Sequence, residues 1–137
     1  MSRKFTPVSP ALWRSPRVME LGDASRVLLF YVLTCRHQNN TGCFMLPPAY
    51  AMADLQWPPE RFDAAFDALV EAGLIMTDKT TDEIYVTGWF RHCAPFNIKH
   101  ATGVIANIYS IESDALREQV ETDFGETEFG KKTRTKA

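Results

Sequence analysis

Four carboxylates, Glu60, Asp63, Asp67 and Glu71, recur at spacings of three, four and four residues. At 3.6 residues per turn this pattern lines them along one helix face. Phe62, Ala65, Phe66, Leu69 and Val70 form the apolar stripe of the same segment, so the carboxylates face outward. An outward row of negative charge repels a polyanion or holds a cationic protein surface. Duplex DNA carries one charge per about 1.7 Å of axis, so this face is a poor match to it. Only Arg61, and Gln56 just ahead of the segment, offer donors to base edges there.

The cations lie elsewhere. Arg3, Lys4, Arg14 and Arg17 sit near the N-terminus, Lys79 with Thr80 and Thr81 in a polar stretch, and Arg91, Lys99 and His100 after Trp89. Lys131, Lys132, Arg134 and Lys136 close the chain. Cations and hydroxyls on arms and turns suit phosphates, with contacts that are salt-dependent and blind to base sequence. Residues 48–90 carry two Lys/Arg against eight acids, whereas 1–47 carry six against two. The net charge of −2 therefore hides basic ends and an acidic middle, and polyanion binding is confined to particular faces. These fifteen residues, from Arg3 to Arg134 and including Gln56 and Arg61, are the candidate DNA contacts. The four carboxylates are the candidate contacts of the alternative, a protein-interaction module that does not touch DNA.

Catalytic chemistry has little to build on. His92, Cys93 and His100 lack the paired spacing of a metal site. On a strand, His92 and Cys93 would point to opposite faces, which separates a nucleophile from its base. There is no phosphate-cradling glycine loop and no nucleophile elbow. Trp57, Trp89, Phe90 and Phe96 read as core and lid residues rather than a stacking platform. No catalytic residue, metal or cofactor is expected, and Cys35, Cys43 and Cys93 do not suggest a disulfide framework.

The elements that position these residues follow from periodicity. Residues 5–17 hold three prolines and predict an extended arm, with Phe5, Leu12 and Trp13 packed on the domain. Asp23 caps a central buried helix over 24–37, with Val27, Leu28, Tyr31 and Val32 on one face. Residues 43–46 suit a single strand and 49–55 a two-turn helix led by Pro48. Pro58 or Pro59 starts the acidic helix, Gly73 stops it, and 74–77 and 84–87 pair as a hairpin around a polar turn. Residues 101–110 and a segment capped by Ser113 form two further helices, the second closed by Gly125.

The sum is an α+β chain, mainly α: a winged helix-turn-helix with a three-stranded wing sheet and a C-terminal helical extension. Its divisions are an N-terminal arm (1–22), the winged-helix core (23–90), a loop and helical extension (91–125) and a disordered basic tail (126–137). The composition, 45% hydrophobic and 23% charged, is that of a folded globular protein. The first ten residues lack the apolar core of a signal peptide and no apolar run is long enough for a bilayer, so a cytoplasmic protein without membrane contact is expected.

The stretches LWRSPRVMEL, ASRVLLFYVLT, NNTGCFMLP, ALVEAGLI, DEIYVTGWF with RHCAPFN, and IYSIESDAL occur in this order. Their order and spacing over residues 5–120 resemble the N-terminal winged-helix domains of phage and prophage replication proteins, the replisome organisers and DnaD/DnaT-like initiators. Where members often show His-Asn after the wing, this chain has His92-Cys93. The resemblance implies DNA binding in replication initiation or its regulation, without catalysis. It also implies replication proteins such as a helicase or its loader as partners. Members usually carry a linker and a second domain for that contact, which these 137 residues do not include. Pairing of two copies through terminal helices is a further expectation.

Overall fold

The computed structural model describes residues 5–135. Helix α1 (Pro16–Met19) follows a short 3-10 turn over Pro10–Arg14 and leads into α2 (Asp23–Thr34). Strand β1 (Cys43–Met45), helices α3 (Pro48–Leu55) and α4 (Pro59–Glu71), and strands β2 (Ile75–Asp78) and β3 (Glu83–Val86) come next. Four helices complete the chain: α5 (Trp89–His92), α6 (Ile98–Tyr109), α7 (Asp114–Gly125) and α8 (Glu128–Thr135). The fold is mainly helical with one small antiparallel sheet, in the order β1-β3-β2.

Helix α2 buries Ser25, Leu28, Leu29 and Val32, the i, i+3, i+4, i+7 face, and packs on α4. Each buried Leu contributes about 1.5–3 kcal/mol of transfer free energy. The face is rotated from the expected one, since Leu29 is buried and Val27 exposed. Asp23 is the first helical residue and not the cap; Gly22 occupies that position without a side-chain bond. Arg26 closes the corner with α1 by donating to the Met19 and Leu21 carbonyls. Pro48 and Pro59 each lie at a helix start, where the missing N–H has no partner to lose. Helix α4 buries Phe62, Ala65 and Leu69, and Gly73 beyond its end takes φ +73°.

Central strand β3 is buried along its whole length. Its register pairs Tyr85 with both Cys43 and Met76, as the sequence pattern anticipates for a lone strand joining a hairpin. Asp78 shapes the hairpin turn by accepting from the Thr80 N–H at 3.0 Å and the Thr80 hydroxyl at 2.6 Å. Ala101, Val104 and Ile108 of α6 and Leu116, Val120 and Phe124 of α7 join the same core. Ser113 caps α7 through its side chain, as expected.

Three further expectations are corrected. The arm is not extended but turns through the 3-10 segment and α1, and Phe5 is 81% exposed. Leu12 does pack on the core, and the exposed Trp13 keeps its ring 5.3 Å from that of Phe30. His92 and Cys93 lie at the end of α5 and not on a strand, because Gly88 at φ +75° turns the chain into that helix. The expected disordered tail is helical over Glu128–Thr135. Half-buried Phe129 supplies the apolar anchor, and the Thr127 hydroxyl accepts from the Gly130 N–H at the helix start.

Candidate functional site

The acidic face of α4 forms as the spacing predicts: Glu60, Asp63, Asp67 and Glu71 are all exposed. They do not stand alone. A groove of about 380 Å³ runs between α4 and the hairpin, floored by Leu46, Phe62, Phe66 and Ile84. Asp63 and Asp67 line it from the helix, and Asp82 and Lys79 from the hairpin turn. Three carboxylates therefore meet one ammonium along this groove. Asp82, at φ 56°, is a member of this wall that sequence reasoning overlooked. Its only local signal is its place in the polar turn.

The turn itself carries limited positive charge. Lys79 and Thr80 are exposed and Thr81 half-buried, but the Thr80 hydroxyl is committed to the Asp78 carboxylate. That bond holds the half-buried Asp78 carboxyl below the usual range. At the start of α4, Arg61 lies over the Trp57 ring at 4.8 Å, and exposed Gln56 ends α3 in the left-handed conformation.

The remaining cations divide among separate places. Arg14 is exposed on the 3-10 turn. Arg17 Nη1 donates to the Gly73 carbonyl at 3.1 Å, which ties the arm to the end of α4. Thr87 donates its hydroxyl to the same carbonyl at 2.6 Å. Arg17 and Arg91, far apart in sequence, line one concavity whose lining includes no carboxylate. Lys99 is exposed on α6, and the His100 ring lies 4.7 Å from that of Phe96 with its Nδ1 buried and unpartnered. Lys131 and Lys132 are exposed on α8, where Lys132 pairs with Glu128 at 3.3 Å and lies over Phe129. Arg3, Lys4, Lys136 and the side chain of Arg134 lie outside the described residues. Among the described residues, the fold thus places Arg17 and Arg91 in the lining of one concavity and Lys79 with three acids in the lining of another.

Buried polar groups are structural. The Glu83 carboxylate accepts from the N–H groups of Glu112, at 3.1 Å, and Ser113, at 2.7 Å. The Tyr85 hydroxyl donates to Asp123 at 2.6 Å, and burial together with that carboxylate raises the phenol's pKa. Burial, reinforced by Glu83, pushes the Cys43 thiol up to about 12, which disfavours its thiolate. Among the described residues, no three His, Cys, Asp or Glu side chains are grouped to hold a metal. Among them, too, no helix is long and apolar enough to cross a membrane.

No family model, curated protein or solved structure matches the chain.

Proposed function

We propose that the chain is a non-catalytic winged helix-turn-helix protein that contacts DNA phosphates through its flanking cations and not through α4. In this reading α3 and α4 are the helix pair and β2–β3 the wing, with β1 as third strand. The biological setting is phage- or prophage-type replication initiation or its regulation, in the cytoplasm, with a helicase or its loader as partner. The observation that carries the reading is the partition of charge. Arg17 and Arg91 line a concavity without carboxylates, whereas the groove under α4 holds Asp63, Asp67 and Asp82. Phosphate contacts of this kind position a protein on DNA without reading its bases.

Fluorescence anisotropy with a labelled duplex tests it. Binding is expected at about 50 mM salt, with steep weakening as salt rises. Arg91→Ala should lower the slope of log K against log salt by about 1 and weaken all duplexes alike. Absence of binding at about 50 mM salt overturns the reading.

The acidic groove favours a second reading, in which this face docks a cationic protein segment without direct DNA contact. Its apolar floor under carboxylate walls is the feature that suits such a partner. Charge reversal at Glu60, Asp63, Asp67 and Glu71 should abolish capture of a helicase or loader. If the reversed protein only gains DNA affinity, the docking reading fails.

A further inference from the structure

A second concavity, of about 220 Å³, lies between the N-terminal arm and the core. Leu29, Leu33, Leu74 and Val86 supply an apolar floor, and the arm contributes Leu12. Arg17, Arg91 and His92 also line it, and among the described residues no Asp or Glu does. Arg17 uses one of its five donors on the Gly73 carbonyl, which leaves most of its fork for another acceptor. The Arg91 guanidinium makes no hydrogen bond or ion pair among the described residues.

We propose that this cavity is a binding site for a small amphipathic carboxylate, a short unbranched acyl chain on the apolar floor with its carboxylate held by Arg17 and Arg91. Three features select that class. An apolar floor rewards each methylene removed from water. Guanidinium forks match the planar carboxylate and form bonds stronger than neutral ones. The volume is below the ~300 Å³ at which sites for drug-sized ligands begin, so a single short chain fits better than a ring system. The site shares Arg17 and Arg91 with the proposed phosphate contacts but stands without them, and its test contains no DNA, so the two readings fail separately.

Isothermal titration of the whole chain with octanoate, butyrate, octan-1-ol and octylammonium separates the contributions. Octanoate should bind most tightly. Butyrate, shorter by four methylenes, should be roughly 100-fold weaker. Octanol should bind more weakly than octanoate, and octylammonium should not bind. Arg91→Gln should weaken octanoate by about tenfold while leaving octanol unchanged, because one charge-assisted bond is lost. Arg17→Gln gives a second variant with the same expected direction, and far-UV circular dichroism confirms that both fold. Absence of octanoate binding, octylammonium binding as tightly as octanoate, no dependence on chain length, or octanoate affinity in both variants equal to that of the unsubstituted chain would each overturn the proposal.

Discussion

The two ends of the chain are attached to the domain in different ways. The C-terminal helices are tied to the sheet by buried polar bonds: Glu83 to two amides at the start of α7, and Tyr85 to Asp123. Trp89 donates to the Asn40 carbonyl, and the Asn107 side chain to the Asn40 side chain, which adds α6 to the same frame. The N-terminal arm buries Val18 and Leu21 in the core and adds Leu12 packed against it, the Trp13–Phe30 contact and the exposed Arg17–Gly73 bond. Buried polar bonds are costly to break because an orphaned partner has no water to replace it; exposed ones are not. The C-terminal helices therefore belong to the core through polar bonds, whereas the arm ahead of α1 is a cover laid over it and only α1 and Leu21 are pinned, by apolar contacts.

Substitutions on either side sharpen or break this contrast. The largest loss is expected for Gly42→Ala, where φ is +77° and a Cβ would lie 2.5 Å from Trp89 Cγ. Strain and overpacking together predict about 3–4 kcal/mol, read by urea denaturation. Glu83→Ala should cost about 2–4 kcal/mol by leaving two amides unpaired, and Glu83→Gln, which keeps one acceptor, roughly half of that. If Glu83→Ala costs no more than an exposed substitution, the C-terminal helices are not anchored as described.

Alkaline pH tests the same frame. The folded state holds the Cys43 proton up to about 12, against an ordinary 9.0, and the Tyr85 proton is likewise retained. The folded chain then binds more protons than the unfolded one, so stability should fall as pH rises above 9.0 toward about 12. The thermal midpoint should drop across this window, and Cys43→Ala should reduce the drop. Tyr85→Phe should cost about 1 kcal/mol, since Asp123 keeps its bond from Gln119 at 3.0 Å. Arg17→Ala should cost about 0.5 kcal/mol or less, the smallest effect, because its bond is exposed. An Arg17 loss as large as that of Glu83 would erase the distinction between cover and core.

The core elements from α2 to β3 were legible because local patterns specify them. The Phe62–Leu69 stripe, prolines at helix starts and the Gly73 stop each act within a few residues. The rotated face of α2 was not, since nearly every residue from Val27 to Leu33 is apolar and periodicity cannot choose among them. Helix α8 was missed because Lys131–Thr135 is polar and its anchor, Phe129, is a single residue. Of the site, the carboxylates of α4 were readable from spacing alone. The approach of Asp82 to Asp63, and of Arg17 to Arg91, depends on tertiary contacts between distant segments, for which no local signal exists.

The Gly73 carbonyl takes bonds from both Arg17 and Thr87, so it keeps a partner when the arm lifts. Fraying of the arm ahead of the buried Val18 then disturbs neither α4 nor the hairpin, and that part opens as a local fluctuation well below the free energy of global unfolding. Amide hydrogens of the arm should exchange long before those of β3, which is buried throughout. The same opening rate sets how quickly anything enters or leaves the space beneath the arm.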